Sequence, residues 1–350
     1  MTVAGTVAAP ASGLVVHALG GESMGTRWQV SLAAAGAADL HPLHAGIQAT
    51  LDRVVAQMSS WESGSDLCRY NRAPAGSWQT LPQPFFDVLR ASLRVAEASD
   101  GACDPTVAPL VDLWGFGPAG GAGRIPEAAA VAAARARVGW QRVTLDGAGQ
   151  RALQPGGVAL DLSGIAKGHG VDAVAAWLRA QGVRAALVEV GGELYGYGRK
   201  PDGSPWRVLV EAWPDEGDGG DDRAAVSPCV LALDGRAVAT SGDHWHRFAH
   251  DGRVFAHSID PRSGAPVAHA PAAVTVLADD ALHADAWATA LTVMGAEAGF
   301  EFAQARGIAA RFVVRAGDRS AADVACHAGA VGGTAVRVHA TDSFHAALAG

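Results

Sequence analysis

The chain has 350 residues, 49% apolar and 18% charged, with a formal net charge of -8, which is enough length to bury a core as one large domain or two modest ones. An acidic balance without a basic run argues against a nucleic-acid or anionic-membrane partner. No apolar stretch is long enough for a membrane span, and the cysteines at 68, 103, 229 and 326 are scattered singly, without CxxC pairs or a disulfide framework.

In chain order, residues 26 to 34, "TRWQVSLAA", read as a strand after the Gly-rich "GGESMG". The first 26 residues contain no Lys or Arg and offer no cysteine for a lipid, so the sequence as given predicts a cytoplasmic protein, or a periplasmic one if a signal preceded it. Leu43, Ile47, Leu51, Val54, Val55 and Met58 recur at helical spacing and predict a helix over 42 to 58. A second helix fits 84 to 98, begun by Pro84 and carrying Phe85, Val88, Leu89 and Leu93 on one face. A third, alanine-rich, fits 126 to 137. Strands at 141 to 145 and 157 to 161 lead into the Gly-rich turn "DLSGIAKGHGVD" (161 to 172) and a helix that Gly182 stops.

Beyond that helix strands dominate, at 185 to 190, 206 to 212, 229 to 234, 255 to 259 and 272 to 278, with turn-like connections that favour antiparallel pairing. Helices at 281 to 294 and 296 to 306 and a strand at 308 to 314 complete an α+β architecture of mainly antiparallel sheets packed with helices. "PDEGDGGDDRAAVSP", 214 to 228, predicts an acidic, solvated, Gly-rich insertion. Residues 316 to 350 have weak periodicity and receive no assignment.

Three stretches bear chemistry. In "DLSGIAKGHGVD" the segment delivers Asp161, glycines allow close backbone approach, and a helix N-terminus presents N–H groups suited to phosphate. Lys167 stands out there because Lys and Arg together number 27 and only Lys167 and Lys200 are lysines. A compact ammonium on a flexible stem follows a phosphate where a planar guanidinium would demand fixed bidentate geometry. A plain strand-turn-helix joint with a surface lysine is the alternative.

In "LHADAWATALTVMG" (282 to 295), Asp285 and Thr289 lie four apart on one helix face. Mg²⁺ takes few protein oxygens and completes its octahedron with phosphate and water, so this pair suits it. The competing reading has Asp285 capping the helix and Thr289 bonded locally. In "VATSGDHWHRF" (238 to 248) and "FAHSIDPRSGAPV" (255 to 267), His244, His246, His250 and His257 lack a zinc pattern. His257, between apolar neighbours, is the histidine expected to face a pocket. Trp114 and Phe116 in "CDPTVAPLVDLWGFG" read as core.

Taken together and in order, "ESMGT" (22 to 26), "MSSWESGSDLCRYN" (58 to 71), "CDPTVAPLVDLWGFG", "DLSGIAKGHGVD", "VEVGGELYGYGRKPDGSPWRVLVE", "VATSGDHWHRF", "SIDPRSGAPV" and "ADAWATALTVMG" resemble the ApbE-like flavin transferases, the FAD:protein FMN transferases. The resemblance spans about residues 20 to 315 and implies an ApbE-like fold. It further implies Mg²⁺-dependent transfer of FMN from FAD onto a Ser or Thr hydroxyl of a target flavoprotein, with release of AMP. Gly164, Asp285 and Thr289 match the family's metal positions. Met24, Trp61, Ala102, Cys103, Asp104, Asp161, Lys167, Thr240 and His257 match FAD-contacting positions, and His257 and Asp243 are the candidate bases for the acceptor hydroxyl.

The sequence departs from the family's usual pattern at Ser163, His169 and His244-Trp245. An FAD pyrophosphatase using the same metal site with water as nucleophile, and a flavin carrier without turnover, are the rival readings.

Overall fold

The computed structural model describes residues 13–120, 125–210, 229–242, 247–250, 253–267, 270–315 and 336–348. The expected acidic insertion at 214 to 228 lies outside them. Strands β1 (Leu14–Ser23) and β2 (Thr26–Ala35) form a hairpin closed by the Ser23–Thr26 pair. Its two-residue turn has positive φ at Met24 (54°) and at Gly25 (71°), the backbone twist that tight hairpins favour. In β2, Trp28, Val30 and Leu32 are buried while Arg27 and Gln29 are exposed, the alternation expected of a half-buried strand.

Helix α1 (His41–Met58) buries Ile47, Thr50, Leu51, Val54 and Met58, one stripe at helical spacing. Next come α2 (Asp66–Arg72), capped by Ser65, and β3 (Ser77–Thr80). Then follow α3 (Gln83–Ala98), α4 (Ala108–Leu113) and α5 (Ala128–Arg135). The strand expected at 141 to 145 opens instead as a 3-10 turn, Trp140–Arg142, and only then becomes β4 (Thr144–Asp146), which pairs with β5 (Arg151–Gln154).

The strand expected at 157 to 161 is absent among the described residues, although its backbone is hydrogen-bonded. The Asn71 side chain donates to Leu160 O (2.9 Å) and accepts from Leu160 N (2.7 Å), while Asp161 N donates to Pro105 O (2.8 Å). One side-chain amide therefore replaces a neighbouring strand.

Helix α6 (Ala166–Ala180) ends before Gly182, whose φ is 83°. Strands β6 (Ala186–Val190), β7 (Glu193–Tyr197), β8 (Trp206–Val210), β9 (Cys229–Leu233) and β10 (Arg236–Gly242) follow. The expected strand at 255 to 259 is split: β11 (Arg247–His250) pairs with β12 (Arg253–Ala256), and β13 (Ile259–Asp260) with β14 (Ala265–Pro266). After them come β15 (Ala273–Ala278), α7 (Ala281–Met294), α8 (Ala296–Ala305), β16 (Ala309–Arg315), β17 (Val336–Ala340) and α9 (Asp342–Leu348). The last two fall in the stretch that the sequence left unassigned.

Eight strands form one sheet in the order β1-β2-β6-β7-β10-β15-β16-β17, with every neighbouring pair antiparallel. Helices α1 and α6, with the start of α7, share a core with β2, β6, β7 and β10. The β8–β9 hairpin and α9 cover the opposite face through Leu231, Leu233, Val238, Leu277 and Phe344. Covered on both sides, β15 is buried over Ala273–Leu277, which accounts for its unbroken apolar sequence. Among the described residues no helix is long and apolar enough to cross a membrane.

Candidate active site

The site grows from the joint between the extended segment before α6 and the crossing of α6 with α7. Asp161 Oδ1 accepts the Ser163 N–H (2.7 Å) and folds the chain into a short turn. The turn lays Gly164 directly on α7: a β-carbon there would sit 3.0 Å from both Thr289 Oγ1 and Thr289 Cγ2. A few residues on, Gly168 permits an unusually close helix crossing. A β-carbon at that position would lie 2.1 Å from Ala281 O and 2.9 Å from Asp285 Cβ.

Through this contact Gly168 N–H donates to Asp285 Oδ2 at 3.0 Å. Asp285 is 5% exposed. Burial raises its carboxyl above the usual aspartate range, against the Lys167 charge and the Gly168 N–H, which favour the anion. The structure thus brings Gly164, Asp285 and Thr289 to one place, with Asp285 and Thr289 a turn apart on α7.

Asp285 does not cap its helix. Asp280 does, accepting the His283 N–H at 2.8 Å. A second carboxylate comes from the other helix: Asp172 accepts the Ala281 and Leu282 N–H groups, each at 2.9 Å. Burial pushes Asp172 up to about 6, despite those two hydrogen bonds. Asp172 and Gly168, one turn apart on α6, therefore fix both the start of α7 and its Asp285 carboxylate.

Lys167 forms an ion pair with Glu193 Oε1. Glu193 opens β7 after Gly191 and Gly192, both at positive φ (62° and 101°). It is 1% exposed, and its Oε2 is buried without a hydrogen-bond partner. Burial, then the Asp285 charge, push the Glu193 carboxyl up to about 8 against the pull of Lys167. For Lys167, burial opposes the ammonium but Glu193 and Asp285 outweigh it, and the group is held above the ordinary lysine value.

Space here is narrow. A β-carbon at Gly191 would lie 2.8 Å from Thr26 Cγ2 and 3.4 Å from Lys167 Cδ, so the lysine stem passes against bare glycine backbone. The Cys103 thiol is pushed up to about 12 by burial and then by Asp285, Asp104 and Asp161, which puts the 102–104 loop within the field of Asp285 and Asp161.

The Met24 turn reaches this region from β1–β2. Its side chain packs on α6 so closely that a β-carbon at Gly170 would meet Met24 Sδ at 3.1 Å. A non-glycine residue held at positive φ marks a conformation that the surroundings impose.

The ApbE family profile matches residues 24–312. The chain belongs to the ApbE family. The solved apo structure of the flavinyl transferase ApbE of Pseudomonas stutzeri is similar with a TM-score of 0.83 and 38% identity, covering 97% of this chain and 99% of that one. The flavin transferase ApbE of Vibrio cholerae follows at TM-score 0.80 and 30% identity, over 95% of this chain and 99% of that one. A Klebsiella pneumoniae FAD:protein FMN transferase is 35% identical over 316 residues, 89% of this chain and 88% of its own length.

The remaining candidate positions of this ApbE chain are placed less uniformly. Trp61 is 66% exposed, on a loop whose Trp61 and Glu62 N–H groups donate to Ser59 Oγ. Ala102 is buried. Asp104 turns inward, where its carboxylate accepts from Thr106 N (2.8 Å), Thr106 Oγ1 (2.7 Å) and Trp140 N (3.0 Å), bonds that fix the shape of the loop.

The Thr240 hydroxyl pairs with Thr275 Oγ1 at 2.9 Å, and its neighbour Ala239, pointing to the other side of β10, joins the α6–α7 core. His257 is half-buried between β12 and β13, in a hairpin region anchored to α4 by Trp114 Nε1 donating to Gly264 O (2.9 Å). Trp114 is core, as its sequence context predicts. Asp243, His244 and His246 lie outside the described residues.

Glu193 is the residue that sequence reasoning passed over. Its signal was the alternation Glu193, Tyr195, Tyr197 on the buried face of one strand, where an acid among aromatics calls for a partner.

Proposed function

We propose that this chain is an FAD:protein FMN transferase, moving FMN from FAD onto a Ser or Thr hydroxyl of a target flavoprotein and releasing AMP, with Mg²⁺ required. The observation that carries the reading is the convergence of Gly164, Asp285 and Thr289 in a chain of this family. The donors fit the cation: a buried carboxylate, a hydroxyl and a backbone segment with no room for a β-carbon are hard oxygen donors in a tight place, which is what Mg²⁺ selects. Among the described residues no group of three or more His, Cys, Asp or Glu side chains could hold a metal, so the set relies on Thr289 and main-chain oxygen beside Asp285. Bound there, Mg²⁺ would polarise the diphosphate and offset charge on the departing AMP.

The chain's own groups supply the rest. Lys167 offers its ammonium to the diphosphate from the first turn of α6, where the positive end of the helix dipole favours an anion. Met24 and the exposed Trp61 ring provide apolar surface for the flavin. The acceptor oxygen forms a new bond to the flavin-side phosphorus as the bond to AMP breaks, and its proton passes to His257 or Asp243.

The test is incubation with FAD, Mg²⁺ and candidate acceptors, followed by mass spectrometry. The expected result is a covalent FMN adduct on the acceptor with AMP released, abolished by Asp285→Ala. Undiminished transfer by that variant would remove the metal assignment. FMN and AMP without an adduct would make the chain a hydrolase.

A further inference from the structure

Two buried carboxylates, Asp285 and Glu193, share the surroundings of one ammonium. Lys167 adjoins Gly168, whose N–H bonds Asp285, so its flexible stem starts beside Asp285, yet its ammonium is paired with Glu193. Glu193 has Oε2 buried with no hydrogen-bond partner, and its other oxygen faces Lys167. Such a half-satisfied carboxylate is a poor stabilising device, because desolvation consumes most of the attraction of a buried pair. Its presence on the core side of β7, in line with Tyr195 and Tyr197, calls for another purpose.

We propose that Glu193 is a positioning residue that holds the Lys167 ammonium off Asp285, leaving that carboxylate open to a divalent cation. The proposal rests on the metal assignment made above. With Glu193 neutralised, Asp285 becomes the remaining buried carboxylate within the field of Lys167. Attraction then turns the ammonium toward Asp285, where it competes with the cation for the same oxygens. Residues standing behind a metal ligand commonly change metal affinity by about 10- to 100-fold, and loss of Glu193 belongs in that range.

The experiment is calorimetric titration of the FAD-free protein with Mg²⁺, using wild type, Glu193→Gln, Lys167→Met and the double variant. Glu193→Gln is expected to weaken Mg²⁺ binding about tenfold. Adding Lys167→Met to it should restore affinity to near the wild-type value, because no ammonium then competes. A structural defect at Glu193 would not be rescued by removing a second side chain.

Glu193→Gln binding within twofold of wild type, or a double variant as weak as the single one, overturns the proposal. If Glu193→Gln does not fold, Lys167→Met alone decides: it should bind Mg²⁺ at least as tightly as wild type, and weaker binding refutes the competition. A wild-type chain that takes up no Mg²⁺ brings down the metal assignment and this inference with it, whereas wild-type binding with unresponsive variants brings down only the role of Glu193.

Discussion

Gly168→Ala is the sharpest probe of the α6–α7 crossing. The added carbon would lie 2.1 Å from Ala281 O, where ordinary contact begins at 3.4 Å, so the helices must part by more than about 1 Å. The obstructing atom is backbone and cannot rotate away. Overpacking of this kind costs about 1–3 kcal/mol, and this geometry belongs at the upper end. Alanine returns up to about 1 kcal/mol of helix propensity. The net loss of roughly 2 kcal/mol corresponds to a melting point lower by about 3 °C for a chain of this size.

The functional effect is larger. The same carbon would press on Asp285 Cβ at 2.9 Å and disturb the 3.0 Å bond from Gly168 N–H, and a misplacement of about 1 Å at a reacting centre costs on the order of 100-fold in rate. Differential scanning fluorimetry and the FMN-transfer rate measure both terms. Gly147→Ala is the control, since nothing lies within 4 Å of that β-carbon and the backbone φ there is not positive. A Gly168→Ala protein with the wild-type melting point and a rate within threefold of wild type would refute the claim that this contact positions Asp285.

Asp172 gives a pH-dependent expectation. Its carboxyl titrates at about 6 in the folded chain against an ordinary 3.8, so the folded state holds the proton more tightly than the unfolded one. The associated stability is complete below about pH 4 and is lost as pH rises through about 6, by up to ~3 kcal/mol. Relative to Asp172→Asn, wild type should therefore lose melting temperature between pH 4 and pH 7; parallel curves would contradict the burial argument. Trp61→Ala should leave the melting point within about 2 °C, because the side chain is 66% exposed and exposed substitutions change stability by only about 0.5 kcal/mol. Loss of an aromatic contact worth about 0.5–1.5 kcal/mol should raise the KM for FAD about two- to tenfold, and an unchanged KM would exclude Trp61 as a platform for the flavin.

Local patterns in the chain carried much of this structure. The stripes of α1, α3, α6 and α7, the runs that become β2, β6 and β15, and the stop at Gly182 all follow from nearest-neighbour chemistry, and their predicted limits differ from the observed ones by a residue or two. The pairing of Asp285 with Thr289 on one helical face was likewise set by spacing alone. Segments whose hydrogen-bond partners come from afar were not legible. Residues 157 to 161 have the composition of a strand, but their partners are Asn71 and Pro105, so no ladder forms. Strands β1, β7 and β10 depend on neighbours in the sheet rather than on strong runs of their own.

The site divides along the same line. Residue types and their spacing determined which groups could serve: a lysine in a glycine turn, an acid and a hydroxyl a helical turn apart. Only the tertiary structure decided that Gly164 touches Thr289, that Gly168 reaches Asp285, that Asp172 grips the start of α7, and that Glu193 takes the lysine. Each of these joins elements distant in the chain, and such contacts are selected by how closely two helices and a sheet can approach, a property of packed surfaces that no local window of sequence contains.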